Sequence, residues 1–89
     1  MNHDEAQVEV QRVVKAITAA RKAAGLTPYR IGKLTGLSAQ AIHLIERGER
    51  SPTLHSLFLV CDALEMKLED VLAEIRGKRK AKATDKNPK

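Results

Sequence analysis

At 89 residues the chain has room for one small domain and not for two, because a second independently stable core needs about as many residues again. Hydrophobic residues at 43% and charged residues at 30% exclude a wholly disordered chain, and no apolar run approaches the ~20 residues of a membrane span. The net charge of +5 points to an anionic partner, while the single cysteine, Cys61, excludes an internal disulfide.

The first predicted element runs from about Asp4 to Ala24, where Val10, Val13, Val14, Ile17, Ala20 and Ala24 recur at the spacing of a buried helix face. Gly25 ends it, with Lys22 near the negative end of the helix dipole. Thr27 and Pro28 then read as an N-cap followed by proline at the first helical position, opening a short second helix through about Thr35 that Gly36 breaks. Ser38 caps a third helix, with Ile42 and Ile45 facing inward and an end near Arg47-Gly48. Ser51-Pro52-Thr53 starts a fourth, which turns Leu57, Val60, Cys61 and Leu64 inward. Lys67 to Ile75 supports a fifth through Leu68, Val71 and Leu72. No segment alternates as a strand does, so the fold class is all-α. From Gly77 onward the chain has no apolar residue larger than alanine and is expected to be disordered.

The charge is unevenly placed. Residues 76–89 carry seven basic residues against Asp85, so residues 1–75 are left at −1. Within that body, residues 21–50 hold Arg21, Lys22, Arg30, Lys33, Arg47 and Arg50 against Glu46 and Glu49, or +4. Residues 51–75 stand at −4. The expected organisation is a domain over residues 1–75 and a basic tail over 76–89, either a solubilising end or an extension that adds sequence-independent affinity for DNA.

Residues 28–47, PYRIGKLTGLSAQAIHLIER, carry the functional signal. In a helix-turn-helix the second helix crosses tightly over the first, so the crossing point takes a residue with almost no side chain, here Gly32. The turn requires positive φ, here at Gly36. Ile31, Leu37, Ile42 and Ile45 stand where they lock both helices onto a core. With these residues in register, the chain resembles the Cro and phage-repressor type (XRE-like) helix-turn-helix family over about Ile17 to Leu72. Gly25-Leu26-Thr27 is similar to the family's entry to the second helix, Gly36-Leu37-Ser38 to its turn, and Ile45-Glu46-Arg47-Gly48 with Pro52 to the segment closing the third. Pro28, Thr35 and Leu44 depart from the family pattern, the first and last exchanging polar for apolar character and Thr35 the reverse.

The resemblance implies a five-helix bundle with the third helix in the major groove of double-stranded DNA. Ala39, Gln40, His43 and Leu44 would then face bases, Gln40 suiting an adenine edge and Ala39 or Leu44 a thymine methyl. Thr27, Tyr29, Ser38, Arg47 and Arg50 are the expected phosphate contacts. Arg21 matches the family arginine that pairs with the glutamate matched by Glu46. It follows Ile17 by four residues on the apolar face, where an unpaired guanidinium is costly, so a partly buried salt bridge is expected.

Other residues take plainer readings. Cys61 is expected to fill a small buried site and His55 to lie on the surface of the fourth helix. His3, His43 and His55 lack metal-ligand spacing, and no nucleophile-base pair or phosphate-binding glycine loop is present, so neither a metal, a cofactor nor an enzyme activity is expected. Tyr29 and Phe58 are the only aromatics, too few for a platform that stacks single strands. Phe58 and Leu59 fall outside the inward face of the fourth helix and suggest a homodimer surface. Asp4, Glu5 and Glu9 near the start are unlike a signal peptide, and a cytoplasmic location without membrane contact is expected. The expected function is a sequence-specific regulator of transcription acting as a dimeric repressor. Alternatives are an antitoxin with a toxin partner, a restriction-modification controller, or a protein-interaction adaptor on the same fold.

Overall fold

A computed structural model describes the backbone of residues 1–86 and the side chains of residues 1–77. It contains five helices and, among the described residues, no strand: α1 (His3–Ala23), α2 (Pro28–Thr35), α3 (Ala39–Glu46), α4 (Leu54–Ala63) and α5 (Leu68–Lys86). The boundaries follow the caps. Asn2 accepts the Glu5 N–H at 2.8 Å while the Glu5 carboxylate accepts the Asn2 N–H at 2.8 Å, a reciprocal box that starts α1 two residues after the chain begins. Thr53 and Ser56 close a second such box at the start of α4. Ala24 ends α1 as its C-cap and is exposed, so the inward stripe of that helix stops at Ala20 and Arg21.

α1 forms the spine, packing on α3 through its second half and on α5, while α2 packs on α3 and α4. Val13, Ile17, Cys61, Leu68 and Val71 make the buried cluster, with Leu57, Val60, Leu64, Met66 and Ile75 against its edge. Val14, Ile31 and Ile42 are buried beside them, and Ile31 and Cys61 are closed off almost completely, at 0% and 1% exposure. Fully burying an aliphatic side chain such as Ile31 stabilises by about 1.5–3 kcal/mol, so the bundle is held chiefly by the cluster that joins α1, α4 and α5 and by Ile31 where α2 packs on α3 and α4. The helix expected over Lys67–Ile75 lies within α5, whose backbone continues through Lys86. The expectation of disorder concerns the chain from Gly77 onward, of which the side chains of residues 78–89 and the backbone of residues 87–89 lie outside the described residues.

Candidate nucleic-acid interface

α2, its turn and α3 are joined by four local devices. Thr27 Oγ1 accepts the Arg30 N–H at 3.1 Å and Ser38 Oγ accepts the Ala41 N–H at 3.0 Å, capping the two helices. Gly36 ends α2 with φ +87°, a left-handed conformation costly to any residue with a Cβ. A Cβ on Gly32 would stand 2.6 Å from the Leu37 carbonyl oxygen, so the absence of a side chain there sets how closely the turn folds onto α2. Thr35 bridges the same turn, donating to the Ile31 carbonyl at 2.8 Å and accepting the Leu37 N–H at 3.1 Å. At a position where the resemblance implies an apolar residue, the hydroxyl thus gives the Leu37 N–H, just beyond the end of α2, an acceptor.

α3 is fixed to α1 by an ion pair. Arg21 Nε donates to Glu46 Oε2 at 2.6 Å and Nη2 to Oε1 at 2.9 Å, while Nη1 donates to the Leu26 carbonyl at 2.7 Å. The side chains are only 10% and 17% exposed, and the parallel double bond fixes orientation as well as distance. One guanidinium therefore ties together α1, the entry to α2 and the last turn of α3.

The opposite side of α3 is open. Ile42 is 4% exposed, whereas Gln40, His43 and Arg47 are exposed along one stripe at spacings of three and four residues. Ala39 and Leu44 are half-buried beside that stripe. The Thr27 and Ser38 hydroxyl oxygens serve as caps, so each hydroxyl proton remains the group that could meet a phosphate. Because Pro28 has no N–H and the Arg30 and Ile31 N–H groups bond Thr27, the first turn of α2 leaves the Tyr29 N–H as its donor.

Pairing also redistributes the +4 read from residues 21–50. Glu46 neutralises Arg21, and Glu49 Oε2 accepts from Arg47 Nη2 at 2.6 Å and from its Nε at 3.1 Å. Lys22, Arg30, Lys33 and Arg50 are left as the cations of this stretch without a carboxylate partner among the described residues. Lys33 Nζ lies 5.6 Å from the centre of the Tyr29 ring, a cation–π contact on the outer face of α2. Sequence reasoning counted Arg30 and Lys33 in the charge but assigned them no contact; their positions in the first and second turns of α2 were the available signal. It also missed the pairing of Arg47 with Glu49, because two residues apart across a helix end is not a helical pairing distance.

The remaining expected residues lie elsewhere. Phe58 is 54% exposed on α4, one turn after the 62%-exposed Leu54, whereas Leu59 is half-buried. His55 is exposed, and burial pushes the Cys61 thiol up from its ordinary pKa, which keeps it protonated and unreactive. Among the described residues no group of histidines, cysteines and carboxylates could hold a metal ion, and no helix is long and apolar enough to cross a membrane.

Comparison with known proteins places this architecture. The chain is 34% identical over 47 residues to a Bacillus subtilis (strain 168) protein described as the uncharacterized HTH-type transcriptional regulator YgzD, a span of 53% of this chain and 71% of that one. No solved structure matches the chain. The helix-turn-helix family model matches residues 17–71, from the middle of α1 to the first turn of α5. With that match spanning more than half of its length, the chain belongs to the Cro and phage-repressor type of helix-turn-helix proteins, a family of DNA-binding transcriptional regulators.

Proposed function

We propose that this protein is a cytoplasmic, sequence-specific repressor of transcription that binds double-stranded DNA as a homodimer. The observation that carries the reading is the open stripe of α3, with Gln40 and His43 exposed on a helix held from behind by the Arg21–Glu46 pair. Ala39, Gln40, His43 and Leu44 meet base edges. Thr27, Tyr29, Ser38, Arg47 and Arg50 meet phosphates, joined by Arg30 and Lys33 on α2.

Dimerisation follows from size and surface. One eight-residue reading helix spans too few base pairs to select a site alone, and a two-fold dimer doubles the contacts across a palindrome. Leu54 and Phe58 on α4 and the 37%-exposed Leu72 on α5 supply apolar surface for a second copy. A groove of about 260 Å³ between the start of α1, α4 and α5, lined by Val10, Leu54, Leu72 and Ile75, continues that surface.

Selection of bound sequences from random duplexes tests the reading, followed by Gln40→Ala and Leu44→Ala on the selected site. Loss of a base contact costs ~1–3 kcal/mol and relaxes preference at one base pair. Two variants that bind every sequence as the parent does would reject α3 as the reading surface. A monomeric mass with and without DNA would reject the dimer.

A further inference from the structure

Arg47 stands at the end of the exposed α3 stripe, two turns after Gln40 and one after His43, yet its guanidinium is already occupied. Glu49 receives both Nη2 and Nε on one carboxylate oxygen, at 2.6 and 3.1 Å. The loop that brings the carboxylate there is built. Gly48 turns with φ +79°, and its N–H donates to the Ile45 carbonyl at 3.0 Å. The Glu49 and Arg50 N–H groups both donate to the Leu44 carbonyl, at 2.9 and 3.2 Å. The Gln11 side chain of α1 fills the space at Gly48, 3.3 Å from where a Cβ would stand. Glu49 is therefore anchored by its backbone at the spot where its oxygen meets Arg47, while both side chains remain exposed to exchange, at 62% and 50%.

Resting on the DNA-binding reading of this face, we propose that Glu49 is an internal phosphate mimic. It holds Arg47 until a DNA phosphate displaces it, and so lowers the affinity of the protein for every duplex. A carboxylate oxygen and a phosphate oxygen compete for the same forked donors. The pair must open before Arg47 contacts DNA, and the released carboxylate then lies close to the phosphate that replaced it. Phosphate contacts carry no sequence information, so muting one weakens retention on random DNA and leaves discrimination to Gln40 and its neighbours. Arg50, with no carboxylate partner among the described residues, is the unmuted counterpart next to it.

A double-mutant cycle on the full chain tests this with a random-sequence duplex and a selected one, at two salt concentrations. Glu49→Gln keeps size and polarity and removes the charge. Binding to both duplexes is expected to tighten by about threefold to tenfold, the gain shrinking at higher salt. In an Arg47→Ala background the same substitution is expected to change affinity by less than about twofold. An equal gain with Arg47 absent means that Glu49 repels DNA at long range and overturns the proposal. Weaker binding by Glu49→Gln means that the carboxylate positions Arg47 for DNA, and overturns it too. If Arg47→Ala weakens binding while Glu49→Gln changes nothing, the mimic alone is rejected. If Arg47→Ala and Gln40→Ala are both without effect, the DNA-binding reading of this face falls and the mimic with it.

Discussion

The two arginine–glutamate pairs at the C-terminal end of α3 put the same groups in opposite settings. Arg21–Glu46 lies between α1 and α3 at 10% and 17% exposure, with a third bond to the Leu26 carbonyl, and joins elements 25 residues apart. Arg47–Glu49 is local and exposed at 62% and 50%. Burial removes water from the first pair, so neither partner can be lost without leaving the other stranded. In the second, water and salt stand ready to replace either partner. Chemical identity therefore says little about what an ion pair does; its solvent access and the elements it spans decide whether it is a rivet or a switchable contact.

The largest expected effect comes from breaking the rivet. Glu46→Ala leaves a buried guanidinium with only the Leu26 carbonyl and is expected to cost about 3–5 kcal/mol in urea unfolding, with little dependence on added salt. A loss below about 1 kcal/mol would place this pair with the exposed one and remove the distinction. The next effect tests the other element that sets α3, the crossing at Gly32. Gly32→Ala pushes a methyl into the Leu37 carbonyl, a backbone atom that cannot turn aside, and is expected to cost about 1–3 kcal/mol. Alanine at Gly25, where no atom lies within 4 Å of a Cβ, separates the effect of crowding from that of φ.

The contrast between the pairs also marks what sequence could convey. Arg21 and Glu46 are legible because a family pattern names them and because an arginine on the apolar stripe of Val14 and Ile17 needs a partner. Gly32, Gly36, Thr27 and Ser38 are legible because each meets a local backbone demand that few residue types satisfy. The Arg47–Glu49 pair is not, since it depends on the return of the chain through Gly48 toward Leu44, a geometry that no periodicity encodes. Asn2 with Glu5 has a readable signature, the polar cap followed three residues on by glutamate, whereas the apolar spacing alone places the start of the first element at about Asp4. The sum of charge over residues 21–50 was legible, but the identity of the four unpaired cations needed the pairings.

A smaller effect belongs to the acidic half of the body. Glu65 follows α4 with φ +59°, the only described residue other than glycine in the left-handed region. Its N–H donates to the Asp62 carbonyl at 3.0 Å, so the turn that leads to the buried Leu68 fixes this conformation. Glu65→Gly relieves the steric cost and gives back part of it as freedom of the unfolded chain, for an expected net gain of about 0.5–1 kcal/mol in urea unfolding. DNA affinity should remain within about twofold of the parent, because the residue lies outside α2, its turn and α3. A parallel change in affinity would tie the two halves of the body together and weaken the separation between the basic stretch over residues 21–50 and the acidic one over residues 51–75.

The smallest effect on stability is expected from the exposed pair itself, and it sharpens the comparison most. Glu49→Gln removes a charge that is half in water, from a partner that water can solvate at once. Unfolding free energy is expected to move by less than about 0.5 kcal/mol at low salt and by nothing measurable at high salt, where surface attraction is screened. The backbone bonds that hold the loop, from Gly48 to Ile45 and from Glu49 and Arg50 to Leu44, involve no side-chain charge and survive the substitution. A loss comparable to that of Glu46→Ala would make Glu49 a structural tie. In the proposed role a pair that contributes almost nothing to folding still acts on binding, because binding there would compare a phosphate with a carboxylate at Arg47, whereas folding compares that carboxylate only with water.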